Sequence, residues 1–235
     1  MTRSDHNTEE WYNRYYEKKG CNRNDLLRNP GVLFQYLSHE ASIVSAVRAM
    51  NLTRELAKVL DVGCGGGGGT EIFMRMGFEP GNIYGIDILE DRVKEAVKKR
   101  PNINFQHADA SQMLFEDEAF DLVYESTMFV QILDDNLARK IASEMIRVTK
   151  RRGYLMLADW RYNRPGNSEY KALSKKRMTK LFDIGTRCQL LKTFKGSLIP
   201  PVGRFLSQRI PSVYFLLQAL LPALVGQVTY VLQKQ

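Results

Sequence analysis

The apolar positions in the middle of the chain follow two periods, one typical of buried strands and one typical of amphipathic helices. Helical spacing is found between the strand-like runs. Strands that alternate with helices predict an α/β fold with a mostly parallel sheet and helices on both faces. The predicted strands lie in 57–63, 83–89, 103–110, 120–126 and 154–160, and the helices between them in 70–77, 90–100 and 131–150.

The two ends of the chain depart from this alternation. Helical spacing at 9–20 and 30–50 predicts an N-terminal cap or lid formed by residues 1–52, which leaves 53–235 as the main domain. Two strand-like segments without a long crossover between them predict an antiparallel pair at one sheet edge. After residue 160 the pattern predicts a basic helix at 168–185, a strand at 188–198, an apolar insertion at about 200–224 and a last strand at 227–234.

Charge is unevenly distributed over the 235 residues, whose net charge is +8. Residues 1–125 hold 20 acidic and 15 basic side chains, whereas 126–235 hold 6 and 19, so the two parts carry −5 and +13. A basic half is typical of proteins with an anionic partner, although a solvated basic face explains it equally well.

The three cysteines, Cys21, Cys64 and Cys188, are far apart and lack the spacing of a zinc site or redox pair. We therefore predict no metal and a reducing compartment. The polar, acidic start of the chain is unlike a secretory signal, which favours a cytoplasmic protein.

A glycine-rich segment follows the first predicted strand, in the run from Lys58 to Thr70. Gly63, Gly65 and Gly68 have the spacing of a dinucleotide-binding turn, but glycines alone specify no ligand. Asp61 stands two residues before the first of them, and its carboxylate would repel a pyrophosphate. This favours a ligand with an amino group over a dinucleotide.

Acidic residues also end the second and third predicted strands. Asp87 is placed to accept hydrogen bonds from the two hydroxyls of a ribose. Asp109 can accept from the exocyclic amine of adenine, while the Ala110 amide donates to a ring nitrogen. An isolated strand-end aspartate is more often a helix cap than a ligand. In this order and spacing, however, the three sites predict a bound adenosine.

These residues carry a resemblance to the class I S-adenosylmethionine-dependent methyltransferases, in particular their small-molecule (methyltransferase type 11-like) group. The resemblance covers about 55–160 and includes the run 120–126 and the run 153–160. It implies a Rossmann-like doubly wound sheet, S-adenosylmethionine as cofactor and methyl transfer as activity. It further implies cofactor contacts from Asp61, Gly63, Gly65, Asp87, Ile88, Asp109, Ala110 and Glu125.

The catalytic base is less well specified. Many relatives carry a histidine shortly after the fourth strand, but 128–132 contains none. His39 is the favoured candidate, although a histidine on an amphipathic helix is more often a boundary residue. The other candidates are His107, Tyr15, Tyr16 and Asp159. Tyr12 joins the two tyrosines in an aromatic patch that either covers the cofactor or packs in the core.

The acceptor is narrowed mainly by exclusion. The residues after the fourth strand lack the proline-containing motif of enzymes that methylate DNA bases or glutamine, so sequence-specific nucleic-acid methylation is disfavoured. The basic and apolar C-terminal region favours a small-molecule, sugar or lipid-linked acceptor, methylated on oxygen or nitrogen. Packing is the first interpretation of the apolar insertion, an acceptor pocket the second and peripheral membrane contact the third.

Two other functions fit the same residues. A nicotinamide-dependent oxidoreductase would use the same sheet, and a non-catalytic cofactor-binding partner subunit would explain the missing histidine.

Overall fold

The computed structural model describes residues 26–27 and 30–235, and in them a seven-stranded sheet carries helices on both faces. The strands are β1 (Val59–Val62), β2 (Ile83–Asp87), β3 (Asn104–His107), β4 (Phe120–Ser126), β5 (Thr149–Trp160), β6 (Cys188–Lys195) and β7 (Gln227–Lys234). The α-helices are α1 (Leu33–Arg48), α2 (Glu71–Arg75), α3 (Glu90–Lys99), α4 (Asp135–Val148), α5 (Lys175–Leu181), α6 (Pro200–Arg209) and α7 (Pro211–Leu220).

The strand order is β3-β2-β1-β4-β5-β7-β6. The first five strands are parallel, and β7 runs antiparallel to both β5 and β6. The predicted Rossmann-like α/β sheet with an antiparallel C-terminal edge is therefore confirmed. The strands β2 and β3 lie on one side of β1, and β5 lies on the far side of β4, so the strand order reverses between β1 and β4. Open α/β sheets bind ligands in the crevice at the carboxyl ends of two such strands.

Side chains alternate between the two faces of each strand, and both faces are buried. Leu60 and Val62 belong to the core under α4 and α5, whereas Val59 belongs to the core under α1 and α2. Asp61 lies between them in sequence and pairs with Tyr124 of β4. It therefore faces the α1 side of the sheet.

Helix α1 lies across the antiparallel part of the sheet and packs on β5, β6 and β7. Ser42 fixes it there through a buried hydrogen bond of 2.8 Å to the Thr229 hydroxyl. The helix expected at 9–20 lies outside the described residues, so the division of the chain at residue 52 stays a prediction.

The helix predicted at 168–185 is wrong over most of its length, because only Lys175–Leu181 is helical. The preceding amides are bonded elsewhere: Lys171 N donates to Val130 O at 2.9 Å and Leu173 N to Trp160 O at 2.9 Å. The Ser174 hydroxyl then caps the helix by accepting from Arg177 N.

The apolar insertion forms the helical pair α6 and α7, which connects β6 to β7. Across 26–27 and 30–235, none of the helices has both the length and the apolar character needed to cross a membrane.

Candidate active site

A cavity of about 430 Å³ opens at the carboxyl ends of β1, β2 and β4. It lies at the crevice that the strand order predicts. Six of the eight residues expected to contact a cofactor line it, namely Gly63, Gly65, Asp87, Ile88, Asp109 and Ala110. The rest of the lining includes Cys64, Arg92, Ser126, Met128, Gln131 and Lys140.

The turn after β1 forms one wall of this cavity. Gly63 and Gly65 have φ of 76° and 52°, a region that side chains other than glycine rarely adopt. Backbone amides of Gly63 and Cys64 both donate to Ile86 O, at 2.8 and 3.0 Å, which fastens the turn to β2. A Cβ on Gly65 would meet no protein atom within 4 Å. The turn therefore presents bare backbone to open space.

Asp87 ends β2 and is held in one orientation by backbone amides. Gly65 N donates to Asp87 Oδ2 at 2.8 Å, and Leu89 N donates to Oδ1 at 2.9 Å. A carboxylate has about four acceptor positions, so two of them are left for ligand hydroxyls.

Asp109 and Ala110 form the opposite wall, after β3. Asp109 is exposed, and its Oδ1 accepts from Ser111 N at 2.7 Å. Ala108 N donates to Asp87 O at 3.0 Å, which ties this loop to the end of β2. The two acidic side chains thus lie on the same cavity.

Asp61 and Glu125 are buried outside the cavity lining. Asp61 faces the glycine turn from below, because its Oδ2 would lie 3.1 Å from a Cβ on Gly69. Burial raises the pKa of Asp61 to about 8, and the Asp87 carboxylate adds to the effect. At neutral pH the Asp61 carboxyl is therefore largely protonated. A neutral carboxyl would not repel a pyrophosphate, so Asp61 no longer argues against a dinucleotide.

A family model and several known methyltransferases are similar to this chain. Residues 59–153, which include β1 to β4 and the cavity residues from Gly63 to Lys140, match the family model described as "Methyltransferase domain". Residues 59–153 are thus similar to a methyltransferase domain, over less than half of the chain. The resemblance read from the sequence motifs is thus confirmed, and the cofactor of this family is S-adenosylmethionine.

Curated relatives of this methyltransferase domain are enzymes acting on small molecules. The 2-methyl-6-phytyl-1,4-hydroquinone methyltransferase of Synechocystis is 37% identical over 106 residues, 43% of this chain and 31% of that protein. The phthiotriol/phenolphthiotriol dimycocerosates methyltransferase of Mycobacterium tuberculosis is 32% identical over 111 residues, 45% of this chain and 38% of that protein. The chain thus spans about a third of the length of these relatives.

Solved structures share the fold over nearly the whole chain. Magnesium protoporphyrin IX methyltransferase from Synechocystis, solved with bound SAH, superposes with a TM-score of 0.65 at 15% identity and covers 98% of this chain and 97% of that one. A TehB-like SAM-dependent methyltransferase from Corynebacterium glutamicum has a TM-score of 0.58 at 15% identity, covering 97% of this chain and 98% of that one.

His39 of helix α1 reaches the cavity through Ser126. Its Nε2 lies 3.1 Å from Ser126 Oγ, and Ser126 lines the cavity at the end of β4. The Nδ1 atom is buried without a hydrogen-bond partner among the described residues. Burial lowers the pKa of His39 to about 4, although Glu40 partly opposes the shift. The imidazole is therefore neutral at physiological pH and can accept a proton.

The other candidate bases are placed less favourably. His107 is exposed, with Nε2 3.0 Å from Ile88 O. Asp159 is buried and does not line the cavity. Tyr12, Tyr15 and Tyr16 lie outside the described residues, as does Cys21.

A buried pair of carboxyl groups, which the sequence did not reveal, supports the turn after β4. Glu125 Oε2 accepts from Met128 N at 3.1 Å, and Asp159 Oδ2 accepts from Val130 N at 3.1 Å. Burial raises the pKa of Glu125 well above its usual value, and the neighbouring Asp159 adds to this. Burial also raises the pKa of Asp159 to about 7, against backbone amides that lower it. The pair therefore keeps at least one proton at neutral pH.

This pair makes stability sensitive to pH. The folded chain retains carboxyl protons that the unfolded chain has lost, so the free energy of unfolding should fall as pH rises from the ordinary carboxyl range at about 4 to the raised pKa of about 7. Each proton retained contributes a slope of up to about 1.4 kcal/mol per pH unit. Urea unfolding at a series of pH values measures the slope. Glu125→Gln should reduce the slope of unfolding free energy against pH. An unchanged slope in that variant would contradict the conclusion that Glu125 and Asp159 keep a proton at neutral pH.

Arg177 fixes the same turn from the other side. The guanidinium donates to Phe129 O at 3.0 Å, to Ile132 O at 2.6 Å and to Lys171 O at 2.8 Å. Its Nε donates to Asp135 Oδ1 at 3.0 Å. The side chain is 9% exposed. Arg177 thereby positions the segment that carries Gln131 and Ile132 to the cavity.

The described residues also include potential metal ligands and free cysteines. Within the described residues, no three His, Cys, Asp or Glu side chains are grouped closely enough to hold a metal ion. Cys64 and Cys188 are buried and free.

Proposed function

We propose that this protein binds S-adenosylmethionine in the cavity and transfers its methyl group to a small, amphiphilic acceptor. The observation that carries the proposal is the Asp87 carboxylate, held by the amides of Gly65 and Leu89 at the wall of a glycine-lined cavity. Its remaining acceptor positions suit the two hydroxyls of a ribose.

The residues around Asp87 fit the remainder of the cofactor. The backbone of Gly63 and Gly65 would hold the methionine part, and Asp109 with Ala110 would hold adenine between Ile88 and the loop after β3. When bound, S-adenosylmethionine supplies an electrophilic methyl group on a sulfonium sulfur. The protein's own task is then to hold an acceptor lone pair in line with that methyl group and to exclude water.

An oxygen acceptor must lose a proton during transfer, and His39 with Ser126 provides a route for it. The acceptor hydroxyl would pass its proton to Ser126 Oγ as the Ser126 proton moves to His39 Nε2, 3.1 Å away. Burial lowers the pKa of His39 to about 4, so the imidazole is neutral and its Nε2 lone pair is free, and the acceptor proton must be driven onto it as the methyl group is transferred. We infer that His39 acts through Ser126.

A lipid-linked acceptor is favoured over a sugar by the relatives. Their names refer to a phytylated hydroquinone, a mycocerosate lipid and, in a protein of Paenarthrobacter aurescens that is 28% identical over 155 residues, demethylmenaquinone. The apolar pair α6 and α7 beside the sheet edge agrees with such an acceptor. We therefore propose an amphiphile with a polar head that carries the methylated atom.

Replacing His39 with glutamine should lower kcat by about 100-fold to 10,000-fold, because a positioned general base contributes that much. Affinity for S-adenosylhomocysteine should change less than about twofold, since His39 does not line the cavity. The rate of S-adenosylhomocysteine release measures kcat, and calorimetric titration measures the dissociation constant for S-adenosylhomocysteine. Together they separate an effect on turnover from an effect on binding. Ser126→Ala should lower kcat in the same way.

The matched control is Ser45→Ala, an exposed position on the same helix. It should leave both kcat and cofactor affinity unchanged. A His39→Gln enzyme with normal kcat would exclude His39 as the base.

The function itself is tested by release of S-adenosylhomocysteine from S-adenosylmethionine in the presence of candidate acceptors. Prenylated hydroquinones and long-chain alcohols should support turnover, whereas short water-soluble phenols should support less. Tight cofactor binding without turnover on any acceptor would favour a non-catalytic partner subunit. Binding of NADH in preference to S-adenosylhomocysteine would contradict the proposal as a whole.

A further inference from the structure

Helix α7 presents an apolar face to solvent. Phe215, Leu216, Ala219 and Leu220 are all exposed and follow one another at the spacing of one helical stripe. Leu216 is 55% exposed and Leu220 is 66% exposed. Phe205 of α6, at 58%, and Ile210 between the helices, at 46%, extend the surface. An apolar stripe without a charged residue is typical of a face that another surface covers.

The opposite face of α7 is firmly anchored, so the exposed stripe belongs to a well-packed helix. Tyr214 is fully buried, its hydroxyl accepts from Leu198 N at 3.1 Å, and its ring stacks on Phe34 with centroids 5.5 Å apart. Gln218 Nε2 donates to Gly196 O at 2.5 Å. Because these contacts fix the inner face of α7, its apolar outer face is held towards solvent.

The charged residues in the segment that carries this stripe have a single sign. Residues 195–226 contain three Lys or Arg side chains and no Asp or Glu. Arg209 is exposed and ends α6, and only Ile210 separates it from the start of α7. At the other end of α7, Lys195 Nζ donates to Ala219 O at 2.8 Å. Apolar side chains bordered by cations are complementary to a surface with an apolar interior and anionic headgroups.

The location of the stripe agrees with such a surface. The chain leaves the sheet after Lys195 and returns at Gln227, which pairs with Trp160 at the carboxyl end of β5. The insertion therefore emerges from the sheet edge at which the cavity opens. A ten-residue helix is about 15 Å long, half the thickness of a hydrocarbon core, and suits a position within the interface.

We propose that the outer face of α7, together with Phe205 and Ile210, docks on an anionic lipid surface. The side chains of Phe215, Leu216 and Leu220 enter the boundary between headgroups and acyl chains, and Arg209 contacts lipid phosphates. This inference goes beyond the proposed function and does not depend on it. The proposed surface lies outside the cavity, so its binding to vesicles can be measured without cofactor or acceptor.

The test is flotation of the 235-residue chain with vesicles of phosphatidylcholine alone or mixed with phosphatidylglycerol. Mixed vesicles should bind the protein, and binding should weaken as salt rises because the headgroup contribution is screened. Leu216→Glu and Leu220→Glu should each weaken binding by about tenfold or more, since a charge replaces an apolar side chain that would enter the lipid boundary. Arg209→Gln should weaken it by about fivefold.

The matched control is Leu56→Glu, which introduces the same charge at a leucine that is 75% exposed near the amino end of β1. It should bind vesicles like the unchanged protein. Thermal unfolding of each variant checks the fold, and Leu216→Gln with Leu220→Gln replaces any variant that unfolds early.

Three outcomes would overturn the proposal. The first is that mixed vesicles fail to bind the unchanged protein. The second is that Leu56→Glu weakens binding as much as the α7 variants do. The third is light scattering that shows a dimer which Leu220→Glu dissociates while vesicle binding is unaffected, which would assign the stripe to a second copy of the chain.

Discussion

Replacing Asp87 with alanine should weaken the binding of S-adenosylhomocysteine by about 100-fold. Hydrogen bonds to a charged group contribute about 1.5 to 3 kcal/mol each, and the proposed ribose makes two of them, so about 100-fold is the lower end of the expected loss. The variant also frees the Gly65 amide, which now donates to Asp87 Oδ2 at 2.8 Å, so the glycine turn loses its fixed position. Calorimetric titration measures the dissociation constant directly.

Asp91→Ala is the matched control, because Asp91 lies at the start of the adjoining helix α3 with a side chain 94% exposed. It should not change affinity. Asp87→Asn should fall between the two, since its amide oxygen can still accept from one backbone amide. An Asp87→Ala protein that melts normally and binds within threefold of the unchanged one would place the ribose elsewhere.

Much of the fold followed from periodicity. All five parallel strands and the antiparallel edge were predictable because each strand-like segment is bounded by a turn or a helix, four of the five parallel strands are mostly buried, and the late segments lack a crossover. The cavity residues at strand ends were predictable for the same reason: parallel strands bring their carboxyl ends to one edge of the sheet. Gly63, Asp87 and Asp109 meet there although they are far apart in sequence.

The side-chain environment was less predictable. Asp61 and Asp87 are both acidic residues near strand ends, but Asp61 is buried under the glycine turn whereas Asp87 lines the cavity. Burial keeps Asp61 largely protonated near neutral pH. A sequence shows the residue type and its position along a strand, and it does not show which carboxyl group has lost its solvent.

His39 illustrates what spacing alone leaves undecided. The sequence identified a histidine on an amphipathic helix, for which a boundary position is the common case. Its contact with Ser126, 87 positions further along the chain, depends on how α1 crosses the antiparallel edge of the sheet. That crossing is a tertiary feature with no local signal.

Arg177→Ala should reduce the free energy of unfolding by about 3 to 5 kcal/mol, more than any surface substitution in the chain. The sequence places Arg177 in a run of cations and so suggests a solvated face, yet the structure buries its guanidinium among three backbone carbonyl groups and Asp135. Removing the side chain leaves buried acceptors unpaired, which costs as much as breaking a buried ion pair. Urea unfolding measures the loss.

Two further variants act as controls. One keeps the positive charge at position 177 but changes the shape of the side chain, and the other removes a neighbouring positive charge from the same helix. Arg177→Lys keeps the charge but cannot reach all four acceptors, so it should recover less than half of the loss. Lys176→Ala removes an exposed cation one residue away and should leave stability unchanged. Because Arg177 fixes the turn that bears Gln131 and Ile132, Arg177→Lys should also weaken S-adenosylhomocysteine binding by about tenfold. Full affinity in a destabilised Arg177→Lys protein would mean that the turn keeps its cavity-facing shape without the arginine, and that Arg177 serves stability alone.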